Sequence, residues 1–221
     1  MTESDVEELI SDCPRLFHMA ERGSFESIRR HGLMSTTALL DLFQVQGARR
    51  SLLERCHRPR IEHLTHPVVG SAALRDQLPM SDEGLRRALP PEIAPADWYA
   101  RLNGLVFFWL TEGRLHRLTG ARAYRAHEHE VLVLDTRAVV REHHDAIWLC
   151  PINSGCTKPM PAPRDFGAFR RIEDYPYFAF KRRPRGERVV ELCIDYALRD
   201  VDRFLLDAYV VRGEQRIASL P

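Results

Sequence analysis

An α+β fold built as one domain over residues 1–221 is what the sequence predicts, and three observations predict it. Short patterns of helical spacing fill the N-terminal half, and apolar runs of strand character concentrate in the second half. The composition, 44% hydrophobic and 29% charged, is that of an ordinary globular chain, long enough for one well-buried core and too short for two large ones.

Taken in order, residues 14–19 are apolar apart from Arg15 and His18 and run into Gly23-Ser24, the pattern of a strand that turns into a helix. Phe25, Ile28 and Leu33 give that helix its apolar face, with Ser24 as N-cap and Gly32 at the stop. A second helix capped by Thr37 is expected through residues 38–43, and a third from Ser51 to Cys56. Residues 57–95, rich in proline and alternating charge, are expected to be looped apart from a helix at 82–89. Residues 105–110 form an uninterrupted apolar run, the pattern of a buried strand, and 111–124 follow with helical spacing at Leu115, Leu118 and Ala121. Further strands are expected at 130–135, 146–152, 177–180, 189–195 and 208–212, with an exposed loop at 153–167 and a short helix or turn at 198–206.

Several function classes drop out. No stretch approaches the ~18 apolar residues of a membrane span, and residues 1–12 are acidic and polar where a secretory leader is basic and then apolar. The expectation is a cytoplasmic protein with no membrane partner. The five cysteines, odd in number and without a C-x-x-C, argue against a disulfide framework and a zinc ribbon. His127-Glu128-His129-Glu130 and His143-His144 show neither HExxH nor four-ligand spacing, so no metal is expected. There is no Walker A, G-x-G-x-x-G or G-x-S-x-G sequence, and a net charge of +1 confines any nucleic-acid contact to a local patch.

Three features carry chemistry. His18 closes a strand just before a helix start, where an imidazole can hydrogen-bond a ribose hydroxyl and the helix N-terminus suits an anion; a satisfied structural histidine is the alternative. Phe107-Phe108-Trp109 precede a helix directly, and an aromatic ring there either stacks on a ligand or packs in the core; strand alternation lets only a subset face a cleft. Glu191 stands inside the apolar run Val189-Val190-Glu191-Leu192-Cys193-Ile194, so it lies on the solvent face, pairs with an arginine, or is there for function.

These features also share the order and spacing of a known set. Leu16-Phe17-His18-Met19 followed by Ser27-Ile28-Arg29-Arg30-His31-Gly32-Leu33-Met34-Ser35 resembles the N-terminal signature of DarT-like ADP-ribosyltransferases, in the diphtheria-toxin-like His, aromatic, Glu branch. Val106-Phe107-Phe108-Trp109 is similar to that family's second motif, with Phe and Trp where it carries a tyrosine, and Val190-Glu191-Leu192 to its third. The resemblance implies a split β-sheet core and NAD⁺ as substrate without a metal. Glu191 would be the catalytic carboxylate and Arg75 the assisting arginine, with His18, Ser35, Phe107, Phe108 and Trp109 around the NAD⁺. It also implies a bacterial toxin, for which an antitoxin would be the partner.

The acceptor expected is a nucleic acid. Lys181-Arg182-Arg183-Pro184-Arg185-Gly186 and Arg188 form the one dense basic run and lead straight into Glu191, which makes Arg182, Arg183 and Arg185 candidate phosphate contacts; a solvated loop is the alternative. An RNA 2′-phosphotransferase, an NAD⁺ glycohydrolase and an inactive nucleotide- or protein-binding module remain rival readings on the same fold.

Overall fold

Regular structure begins two residues into the chain in a computed structural model that describes residues 1–221. Helix α1 (Glu3–Asp12) is set by a capping box between Thr2 and Asp5, where composition marks only an acidic, polar stretch. Strand β1 (Arg15–Glu21) and helix α2 (Phe25–His31) form the expected strand-to-helix unit, followed by the two-residue β2 (Leu33–Met34). Helix α3 (Thr36–Leu42) is capped by Ser35, whose hydroxyl accepts from Ala38 N–H at 3.1 Å, two residues before the expected cap. Helix α4 (Gly47–Arg55) starts four residues ahead of Ser51.

The region expected to be looped holds more structure than its prolines suggest. A hairpin of β3 (Glu62–His66) and β4 (Gly70–Leu74) precedes the expected helix, α5 (Asp82–Ala88). Pro95 then occupies the first turn of α6 (Pro95–Asn103), where its missing N–H costs nothing. The remaining elements are β5 (Leu105–Trp109), α7 (Glu112–Thr119), β6 (Glu128–Asp135), α8 (Thr136–His143), β7 (Ile147–Cys150), β8 (Arg170–Arg171), β9 (Glu191–Asp195), β10 (Ala197–Leu198), β11 (Leu205–Arg212) and β12 (Gln215–Ser219). Residues Tyr177–Phe180, expected as a strand, make a 3₁₀ turn: Tyr177 and Phe180 turn inward at a spacing of three while Phe178 stays exposed. No helix is long and apolar enough to cross a membrane.

The fold is α+β. Eight strands form one antiparallel sheet in the order β12-β11-β6-β1-β5-β9-β7-β8. Its middle is weak. Strand β1 pairs with β6 along its whole length, yet meets β5 only at Phe17 opposite Trp109. Two four-stranded halves therefore share one face and part on either side of that pair. The shared face is a continuous core of Leu16, Ala20, Phe108, Leu132, Leu192 and Ile194 under α1, α2 and α8. The opposite face is covered in two separate packs, one around Trp98 and Leu102 of α6, the other around Leu115 of α7.

Two local details correct the reading of the first strand-to-helix unit. Ser24 holds the N-cap position without a capping hydrogen bond. The buried Glu130 carboxylate caps instead, accepting from Gly23 N–H at 2.9 Å and Phe25 N–H at 2.7 Å while pairing with Arg22 at 2.7 Å. The α2 N-terminus, expected to receive a ligand anion, is thus already occupied by a carboxylate of the chain itself.

Gly32 ends α2 at φ +88°, and a Cβ there would lie 2.5 Å from Arg199 Cα and 2.6 Å from Leu198 O, because β2 pairs with β10 immediately afterwards. Only glycine meets both demands. Gly32→Ala should cost on the order of 3 kcal/mol from backbone strain and overlap together, a Tm fall of roughly 6–12 °C in thermal unfolding. A Tm within about 2 °C of wild type would refute the close approach.

Candidate functional site

A cavity of about 330 Å³ opens where β1 and β5 part, large enough for part of a dinucleotide. The edges of both strands form its floor, α2 and residues 33–36 form one wall, and β4 with Arg75 to Gln77 closes the other. His18, Ser35, Arg75, Phe107, Phe108, Trp109 and Glu191 all line it, whereas Arg182, Arg183 and Arg185 do not. The three aromatics reach the cavity together because it enters the gap between two strands and meets side chains of both sheet faces, which strand alternation alone forbids. Phe108 is buried; Phe107 and Trp109 are partly open.

His18 bridges the split. Its Nδ1 lies 2.9 Å from Phe107 O and its ring 5.7 Å from that of Phe108. A carbonyl accepts only, so Nδ1 carries the proton and Nε2 presents a lone pair. Burial, with Arg75 adding to it against the Phe107 hydrogen bond, pushes the imidazole down to about 4. His18 is therefore a neutral acceptor near pH 7, able to receive a hydroxyl proton from a ligand.

Glu191 opens β9 between Trp109 of β5 and Cys150 of β7. It is 3% exposed, which excludes the solvent-face reading. Ser154 N–H donates to both of its carboxylate oxygens, at 3.1 and 3.2 Å, and the fully buried Ser154 side chain adds to its hold on the carboxylate. Burial drives the Glu191 carboxyl up to about 7, against the lowering pull of Ser154 and the charges of Arg164 and Arg114. A carboxyl half ionised near neutrality, on the wall of a cleft, is suited to taking up a proton.

Arg75 is the wall's cation with hydrogen-bonding capacity to spare. Its guanidinium lies over the Tyr124 ring at 5.1 Å, with Nη1 3.4 Å from His129 Nδ1 and Nη2 3.8 Å from Asp76. His129 Nε2 donates to Tyr124 O at 3.2 Å, which leaves Nδ1 to accept from Arg75. Arg58, also at the wall, is buried and engaged by Leu53 O, Arg75 O, Thr36 Oγ1 and Asn103 Oδ1. Arg75's charge acts on His18, while the arginines acting on Glu191 are Arg164 and Arg114, so Arg75 serves the His18 end of the cleft.

The basic run sits away from the cavity, against the acidic face of α1. Lys181 pairs with Asp5 at 3.2 Å and Glu8 at 3.5 Å, Arg188 with Glu8 and Asp12, and Arg185 lies 3.8 Å from Asp12. Arg183 donates to Pro151 O at 2.8 Å and covers the Phe180 ring. Much of the tract's charge is thus neutralised within the chain; Arg182 and Arg185 remain exposed. Ser35 is 2% exposed and its cap to α3 is its evident task. Asn153, Gly155, Asp76 and Tyr124 also line the cavity, and nothing in their local sequence marks them.

Residues 14–205 match a family described as "Family of unknown function (DUF7002)", and the chain belongs to it. No curated protein matches the chain.

Proposed function

We propose that this DUF7002 member breaks the bond between nicotinamide and ribose in NAD⁺ and passes the ADP-ribosyl group to an acceptor. The observation that carries the reading is the convergence of His18, the Phe107-Phe108-Trp109 strand and Glu191 on one cleft, at the seam of a sheet that divides into two halves. In this reading a ribose hydroxyl donates to His18 Nε2, Phe107 and Trp109 wall the nicotinamide, and Arg75 meets the diphosphate. The C1′–N bond breaks with its electron pair leaving on nicotinamide, and C1′ becomes cationic. Ionised Glu191 stabilises that charge, then takes the proton that the acceptor loses as its lone pair forms the new bond to C1′.

Nucleic acid is the first acceptor to test, because Arg182 and Arg185 stay exposed on the segment leading into β9. NAD⁺ labelled in its adenylate half, incubated with the protein and separate pools of DNA, RNA and protein, should release nicotinamide and place label in one pool. Nicotinamide with free ADP-ribose in every pool would make the protein a glycohydrolase. Consumption only with 2′-phosphorylated RNA would make it a phosphotransferase. NAD⁺ neither bound nor consumed would overturn the enzymatic reading.

A further inference from the structure

Residues 153–157 read as part of an exposed Pro/Gly-rich loop, yet Ser154 and Thr157 are fully buried and Arg164, farther along the same stretch, is 5% exposed. Arg164 has no carboxylate partner. Its guanidinium folds back on the loop instead, donating from Nη1 to Ser154 O at 2.8 Å, from Nη2 to Cys156 O at 2.8 Å and from Nε to Ala162 O at 3.0 Å. Trp98 Nε1 adds a second donor to Ser154 O at 3.3 Å, and the Arg164 guanidinium lies 5.9 Å from the Trp98 ring. The far side of this loop is the Ser154 N–H that holds both Glu191 oxygens.

We propose that Arg164 is a positioning residue for Glu191: by gripping the loop through its carbonyls it aims the Ser154 N–H at the carboxylate and fixes how that carboxylate meets the cleft. The planar fork explains the choice of residue, since one guanidinium reaches three carbonyls in fixed directions and a lysine ammonium does not. Its charge is a second contribution, acting on Glu191 together with Arg114, which is itself paired with Glu187. The other titratable neighbours, Cys150 and Cys193, are buried thiols whose burial keeps them protonated and neutral.

The role rests on the NAD⁺ reading for its catalytic consequence but not for its physical one, and the test separates the two. Arg164→Met and Arg164→Lys are compared with wild type by NAD⁺ turnover and by carbon-13 NMR titration of the Glu191 side chain, assigned by its loss in Glu191→Gln. In Arg164→Met, kcat should fall roughly 10- to 100-fold with KM within about threefold, and the Glu191 titration should move up by about one pH unit as a neighbouring cation is lost. Arg164→Lys should place the Glu191 titration between those of wild type and the methionine variant and restore kcat only in part, because the charge is retained while the grip that aims the Ser154 N–H is not. A folded Arg164→Met with unchanged titration overturns the proposal, as does Arg164→Lys with wild-type kcat should the methionine variant fail to fold. Absence of turnover in wild type would reject the NAD⁺ reading while the titration still decides whether Arg164 holds Glu191.

Discussion

Glu191→Gln should cut NAD⁺ turnover by orders of magnitude and, at pH 8, make the protein more stable than wild type. Both effects follow from one buried carboxyl. Burial lifts its pKa from 4.5 to about 7, so ionising it costs more in the folded chain than in the unfolded one. Below pH 4.5 both states hold the proton and the cost is absent. As pH rises from 4.5 to 7 the unfolded chain releases its proton while the folded chain keeps it, and stability falls; above about 7 the loss is complete, of the order of 3 kcal/mol at about 1.4 kcal/mol per unit. A glutamine of the same shape keeps the Ser154 N–H bonded and never ionises, so its Tm should exceed wild type by roughly 6–12 °C at pH 8 and match it near pH 4. The same substitution removes the group that meets charge in the transition state, and kcat should fall about 10²- to 10⁴-fold while NAD⁺ affinity changes little. Thermal melts across pH and a kinetic comparison read the two effects separately. An unchanged kcat would reject Glu191 as the catalytic carboxylate, and a Tm difference that does not depend on pH would reject its raised pKa.

His18→Ala should act on binding. The substitution removes both the link from Nδ1 to Phe107 O across the split and the Nε2 acceptor of a residue that lines the cleft. Losing one partner of a hydrogen bond in a sheltered site costs about 1–3 kcal/mol, which is roughly a 5- to 150-fold rise in the Kd for NAD⁺. Because burial holds the imidazole down to about 4, wild-type affinity should stay level from pH 8 to about 5.5, with no step at the ordinary histidine value near 6.5. Calorimetric titration with NAD⁺ at several pH values measures this. A kcat loss at unaltered affinity would move His18 from binding to chemistry, and a step in affinity near pH 6.5 that persists in Glu191→Gln, where the carboxyl near 7 is gone, would contradict its neutral state.

The parts of the site that were legible in the chain are those whose local pattern is itself unusual. Glu191 stands out because a carboxylate inside a run of apolar strand residues has few structural explanations, and burial at 3% exposure removes the commonest of them. The His31-Gly32 step shows for a similar reason: glycine ends α2 at a positive φ against the backbone of Leu198 and Arg199. Arg58, Asp76, Tyr124 and Ser154 gave no such sign. Each reaches the cavity or Glu191 through a partner tens of residues away, as with Ser154 and Glu191 or Tyr124 and Asp76, and their own neighbours in sequence are unremarkable for loops and turns.

Periodicity and apolar runs by themselves determined the α+β class, the strand-to-helix units at β1-α2 and β5-α7, and the strand that carries Glu191, because each is set by the spacing of neighbouring residues. Tertiary structure alone decided what those elements do to one another. That β1 and β5 touch at a single pair, so that a cavity forms at the seam, depends on register between strands 89 residues apart in the chain at His18 and Phe107. The capping of α2 by Glu130 and the neutralising of the basic run by α1 are long-range ion and dipole contacts of the same kind. A charged side chain carries no local mark of its partner: whether it faces water, a ligand or an opposite charge is settled only when distant segments pack together.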